Sequence, residues 1–318
     1  MKRWLIGALL ALVASAGIGQ SFPDRPVRVV VPLPPGGSPD TIARTLATHL
    51  QATWGQPIVV ENRTGGSQNI GADAVAKSAA DGYTWLLAPD NVFVINPYIA
   101  RATSFDPLTD LVPVTEVARI HFLLAVPSAL PVNSVRDLIA YAKAHPGELN
   151  FGSSGNGSPQ RLMTELFQLT SGIRMNHVPY KGAAPAVADL LAGRIQVWIG
   201  APNSLLPHVK EGRLKGLGTT APARLAYIGD VPAIAETLPG FSADTWLGIF
   251  VPAKTPPDIV KKVNAEVARV LGSPDVKSRL EPQGIELVTN TPAELAKLIR
   301  DDYAKWGQVI KEADIRGE

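Results

Sequence analysis

Short apolar runs punctuate the chain and alternate with longer stretches in which apolar residues recur every third or fourth position. The runs fall at 27–31, 58–60, 83–87, 122–126, 149–152, 197–199, 214–218 and 247–251. The first is β-branched and nearly continuous, the pattern of a strand covered on both faces by helices. Ile42, Leu46 and Leu50, with Ala43 and Ala47 beside them, mark one face of a helix, and Leu162, Leu166 and Leu169 mark another. Alternation of this kind predicts an α/β fold with mostly parallel sheets and right-handed crossovers, and ligands on such sheets sit beyond the carboxyl ends of the strands. Further helix starts are expected at Ser134 with Asp137, Thr255 with Asp258 and Thr291 with Glu294, each an oxygen cap followed by an acid three positions on. A helix end is expected where Pro146 and Gly147 follow His145.

Two strand-to-helix turns stand apart. Pro34-Pro35-Gly36-Gly37-Ser38-Pro39-Asp40 follows the first strand, and Gly152-Ser153-Ser154-Gly155-Asn156-Gly157-Ser158-Pro159 follows the run at 149–152. In each, a serine is placed to cap the helix and a proline takes its first position, where a missing N–H costs nothing. Asp40 suits the positive end of the helix dipole. Glycine backbone at a helix N-terminus leaves N–H groups free for an anion. Either turn alone also reads as a tight connection that binds nothing; the pair, one in each half of the chain, predicts a ligand gripped from both sides. The back-to-back glycines of the near turn suit a carboxylate that approaches without a Cβ in the way, whereas the serines of the far turn can discriminate among ligands.

Composition narrows the field. At 318 residues and 46% hydrophobic content the chain accommodates two domains with substantial cores. Residues 1–16 read as a secretory signal: Lys2 and Arg3, an apolar run at 5–13, then Ala14-Ser15-Ala16 as a small-x-small cleavage site. Without that segment 28 basic residues face 28 acidic ones, and no basic cluster with interleaved aromatics calls for nucleic acid. Cysteine is absent, which excludes disulfides, thiolate metal sites and a lipoprotein anchor. The five histidines follow no zinc pattern, so neither a metal nor another cofactor is expected. No phosphate-loop lysine and no dinucleotide fingerprint accompany the glycine turns, and Asn156 stands where a Gly-x-Ser-x-Gly elbow needs its last glycine. Catalysis has no evident machinery.

Several spaced motifs, in order along the chain, carry a resemblance. They are PVRVVVPLPPGGSPDTIAR at 26–44, Val60-Glu61-Asn62-Arg63, Asn69-Ile70-Gly71-Ala72, Asp81-Gly82-Tyr83-Thr84, Pro179-Tyr180-Lys181-Gly182, Asp230-Val231-Pro232 with Glu236, and residues 246–256. Together they resemble the Bug (Bordetella uptake gene), or TctC-type, solute receptors of tripartite tricarboxylate transport systems. The resemblance implies a two-lobe α/β periplasmic binding protein of the venus-flytrap kind (type II), with mostly parallel sheets in both lobes. It implies a monomer that captures a small mono-, di- or tricarboxylate and delivers it to a membrane permease. Lobe 1 is expected at 21–121 plus 227–318 and lobe 2 at 122–226, with hinges near His121-Phe122 and between Thr219 and Leu247.

By the same resemblance the near-turn contacts are Gly36, Gly37, Ser38 and Asp40, and the far-turn contacts are Ser153, Ser154, Gly155 and Ser158. Tyr180 either walls the cleft or packs as a loop aromatic. Asn91 and Asn203 follow apolar runs and are placed at the cleft rim. Ser38-Pro39 stands where the family more often has a small or polar pair, and Arg161 where it often has His. Arg161 either offers a bidentate fork to a second carboxylate or faces solvent. Two rivals remain: a hydrolase using Ser153 or Ser154 with a histidine base, and a receptor whose partner is a sensor kinase.

Overall fold

The computed structural model describes residues 22–99, 103–155 and 157–316; the expected signal at 1–16 and Asn156 lie outside them. Eleven strands appear among these residues: β1 Val27–Val31, β2 Ile58–Asn62, β3 Thr84–Pro89, β4 Leu111–His121, β5 Leu123–Pro127, β6 Asn150–Ser153, β7 Asn176–Pro179, β8 Trp198–Gly200, β9 Leu214–Thr219, β10 Asp244–Pro252 and β11 Glu286–Leu287. All eight expected runs are strands; β4, β7 and β11 were not foreseen.

A six-stranded sheet has the order β11-β4-β10-β3-β1-β2. Strict alternation in its central strands feeds two apolar layers. Val29, Val31, Trp85 and Leu87 face the helices Ser38–Trp54 and Pro257–Leu271, through Ile42, Leu46, Leu50, Val263 and Val267. Val30, Leu86 and Ala88 face the opposite layer, with Ala72, Val75, Phe93, Leu295 and Ile299. The second body is built on β8-β5-β9 and β6-β7, which an isolated parallel bridge between Phe151 and Val197 joins.

The expectation of mostly parallel sheets is corrected. Of the eight strand pairings among the described residues, only β1 with β2, β1 with β3, and β6 with β7 are parallel. The other five are antiparallel, from β10 with β3 through β5 with β9. The reason is connectivity. The chain leaves the large sheet along β4 and returns to it along β10, and the two crossing strands lie side by side in opposite directions. Where they cross, Phe122 N–H donates to Thr220 Oγ1, Thr220 N–H to Phe122 O and Ala243 N–H to Thr220 O, all within 3.0 Å.

The helix Pro292–Glu312 serves both bodies. Leu295 and Ile299 pack beside Phe93 and Phe250 of the large-sheet layer, and farther along Trp306, Val309 and Ile310 belong to the same continuous core as Phe151, Leu162 and Phe167 of the second body. Thr291 caps this helix in a full capping box with Glu294, as expected, and Ser134 caps the Val135–Ala144 helix by accepting from Asp137 N–H. The expected cap at Thr255 is corrected: the Pro257–Leu271 helix starts after Pro256, and Thr255 Oγ1 is buried without a partner.

Candidate functional site

The near turn is ordered by a carboxylate. Asp40 is 4% exposed, and its Oδ2 accepts from Gly36 N–H and from Arg44 Nε, both at 3.0 Å. Its Oδ1 accepts from Asn62 Nδ2, whose amide also donates to Leu33 O. The Arg44 guanidinium, helped by the Gly36 and Asn62 donors, outweighs burial and holds the Asp40 carboxyl down at about 2. Gly36 has φ of +91°, a conformation that a side chain disfavours. The expected cap by Ser38 is corrected: Gly37 is the N-cap residue of the Ser38–Trp54 helix, without a side-chain cap. Gly36 N–H, expected to face an anion, is spent on Asp40. The N–H groups of Gly37, Ser38 and Asp40 make no hydrogen bond to protein among the described residues.

The far turn is cross-braced from behind. Ser153 is fully buried; its Oγ donates to Gly155 O at 2.9 Å and accepts from Gly155 N–H at 3.2 Å. His177 Nε2, on the neighbouring parallel strand β7, lies 2.6 Å from the same hydroxyl. Burial, with the Arg161 charge adding to it, pushes His177 down to about 4, so the ring is neutral at pH 7. Ser158 caps the Pro159–Ser171 helix as expected, accepting from Arg161 N–H, and its hydroxyl donates to Gly155 O at 2.8 Å. Ser153 and His177 have the spacing that a hydrolase would need, but the hydroxyl is sealed behind the turn, where no substrate reaches it.

Between the two bodies lies a cleft of about 1010 Å³. It brings together Asn91, Ser154, Gly155 and Ser158 of the expected residues, with Leu33 and Pro39 flanking the near turn. Gly36, Gly37, Ser38 and Asp40 lie just off this lining, and Ser153 lies behind it. Three expected residues stand elsewhere. Tyr180 donates its hydroxyl to Asp189 Oδ2 at 2.8 Å and packs with the core of the second body. Asn203 is exposed near the start of the Pro202–Lys210 helix. Arg161 is neither on the lining nor in solvent; its side chain is 14% exposed and lies 3.6 Å from Glu165.

Sequence reasoning missed a third loop on the cleft. Gly66, Ser67, Gln68 and Asn69 line it where the chain passes from β2 to the Asn69–Ala76 helix, and Ser67 and Gln68 both have positive φ, 52° and 76°. Asn96 holds this loop, donating to Ser67 O at 2.7 Å and to Asn69 Oδ1 at 3.0 Å. The available signal was Gly65-Gly66, a second glycine pair shortly after a strand, separated from β2 by Arg63 and Thr64. Thr245 on β10 was also missed.

Residues 42–315 match the tripartite tricarboxylate transporter family receptor. The protein BugT of Bordetella pertussis is 38% identical over 315 residues, covering 97% of each chain. Among solved structures, R. palustris Rpa4515 with adipate superimposes with a TM-score of 0.78 at 38% identity, over 93% of this chain and all of that one. MatC (Rpa3494) of Rhodopseudomonas palustris, with bound malate, gives 0.73 at 31% identity, over 91% of this chain and all of the other. A TctC solute binding protein from Polaromonas gives 0.81 at 26% identity, over 92% of this chain and all of the other. Sequence and fold thus match over nearly the whole chain, which belongs to the tripartite tricarboxylate transporter receptor family.

Proposed function

We propose that this protein is a periplasmic receptor that closes its two lobes over a small carboxylate and delivers it to a membrane permease of the tripartite tricarboxylate type. The observation that carries the reading is the cleft itself: Leu33 and Pro39, on either side of the near turn with its unbonded N–H groups, line it from one lobe, and Ser154, Gly155 and Ser158 of the far turn line it from the other. Relatives at 38% and 31% identity hold adipate and malate, which supports an organic acid as the ligand class. The function of the family is capture without chemical change.

In this reading Gly37 and Ser38 present N–H groups to a carboxylate, Ser154, Gly155 and Ser158 meet the ligand from the far lobe, and Asp40, Ser153 and His177 hold the two turns in shape. We place the crossings at Phe122 and at Thr220 to Ala243. Ile228 packs in the core around β5 and β8 and Ile234 lies against Gly218 of β9, which supports keeping these two residues with the second lobe. A cleaved leader at 1–16 and a monomeric state complete the reading. Closure draws its free energy from ligand contacts made only in the closed state.

A thermal-shift screen of organic acids tests it. An acid at a hundred times its Kd adds about 2.7 kcal/mol of stability. Stabilisation by sugars or amines, with none by any acid, contradicts the reading.

A further inference from the structure

Two side chains on the cleft floor have polar groups with nothing in the protein to bond. Asn91 and Thr245 are each 9% exposed, and both line the cleft. Thr245 Oγ1 has no hydrogen-bond partner, and the Asn91 amide makes no hydrogen bond among the described residues. They sit at the same end of the large sheet: Leu247 of β10 pairs with Pro89 at the end of β3, Asp90 N–H donates to Trp246 O, and the Asn91–Val94 helix starts there, while Thr245 continues β10 past that point. A buried hydroxyl without a partner, as at Thr245, is costly, and with the unbonded Asn91 amide on the same cleft lining it offers a ligand two uncharged polar groups.

The charge around this floor selects what fits. On the other side of β10, Asp302 Oδ2 accepts from Trp246 Nε1 at 2.8 Å, and Asp244 lies 3.6 Å from Arg119, whose fork is already held by Glu116 at 2.6 Å. Asp90, beside Asn91, is 2% exposed with an unpartnered Oδ1. Burial, with Asp302 and Asp244 nearby, raises its carboxyl well above the usual range. The cations beneath the floor are already engaged, Arg119 by Glu116 and Asp244, and Lys305 by Ser242 O, so a second ligand carboxylate resting there would lose its water without gaining a counter-ion of its own. A hydroxyl suits the pair better, since amide and threonine hydroxyl together offer donors and acceptors.

We propose that Asn91 and Thr245 form an uncharged subsite for a ligand hydroxyl, so that the preferred ligand carries one carboxylate at the glycine turns and a neutral oxygen at its far end. The proposal rests on the reading of the chain as a carboxylate receptor. Titration calorimetry tests it with straight-chain acids, butanoate through decanoate, each with a methyl, a hydroxyl or a carboxylate at the far end; hexanoate, 6-hydroxyhexanoate and adipate form one such trio. At the length that spans the cleft the hydroxy acid binds about three- to tenfold more tightly than its methyl- and carboxylate-ended partners. Thr245→Val, nearly isosteric, and Asn91→Leu each remove most of that preference. A hydroxyl that confers no advantage at any length overturns the subsite, as does a preference that survives both substitutions. If none of the series binds while other carboxylates do, the subsite falls and the receptor reading stands; if no carboxylate binds, both fall.

Discussion

The near and far turns are written in similar residues and held in different ways. Both join a strand to a helix through glycines and a Ser-Pro pair, yet the near turn is tied from in front by the buried Asp40 carboxylate, and the far turn from behind by the neutral Ser153 and His177 pair. A charged tie fixes shape strongly but consumes one N–H that an anion needs. A neutral brace leaves Ser154 and Gly155 on the cleft lining. The same short motif is thus tied by the acid that follows its Ser-Pro pair in one turn and by a serine upstream of the pair in the other.

The largest effect expected breaks the anchor. Asp40→Ala leaves Gly36 N–H, Arg44 and Asn62 without their acceptor and should lower stability by about 3 kcal/mol in urea denaturation, with loss of ligand binding. A drop under about 1 kcal/mol would show that the carboxylate does not order the turn.

Next, Gly37→Val should weaken every carboxylate ligand by about tenfold while stability stays within a few tenths of a kcal/mol. Gly37 has φ of −81°, open to any residue, and the nearest atom to an added Cβ is Pro39 Cδ at 3.7 Å. The substitution thus acts on the approaching anion and not on the fold. Selective weakening of some acids in calorimetry would reverse the roles of the two turns.

Ser154→Ala should cost about 0.5 to 1.5 kcal/mol for ligands that use its hydroxyl and nothing for the others, changing the ranking among acids. Uniform weakening across three acids of different length would argue against discrimination by the far turn.

The smallest effect at neutral pH becomes visible on acidification. His177 is pushed down from 6.5 to about 4, so the unfolded chain takes up its proton first, and stability falls as pH drops from 6.5 through 4. Asp40 is held down from 3.8 to about 2, so its contribution is present above 3.8 and is lost only as pH falls from there through 2. The far turn should therefore give way before the near one. Urea midpoints against pH for wild type and His177→Gln check this; an unchanged slope between pH 6.5 and 4 in the variant would rule out His177 as its origin.

Much of the fold was legible because its strands are apolar and its helix starts carry local chemistry. The strands that escaped lack that signature. β4 reads LVPVTEVARIH, interrupted by Pro113 and by Glu116, which is fully buried and accepts hydrogen bonds from Arg119 and Asn290. β11 is two residues long and exists only by pairing with β4. Sheet direction was misread because a strand pattern does not encode which way a returning chain runs. At the site, the serine caps were legible where local geometry decides, as at Ser158, and misleading where a distant group intervenes, as at Ser38, displaced by the tie between Asp40 and Asn62. Asn91 could be placed by its position after a strand. Thr245 could not, since only the return of the chain along β10 puts it on the cleft.

One glycine of the far turn marks where the two bodies meet. Gly157 approaches the Asn96–Ile99 helix of the opposite body so closely that a Cβ there would lie 2.5 Å from Ile99 Cδ1. Bare backbone on one side thus meets the tip of a flexible side chain on the other, so the seam yields by turning one methyl aside, and Gly157→Ala would be absorbed there before it reached the gape between the two turns.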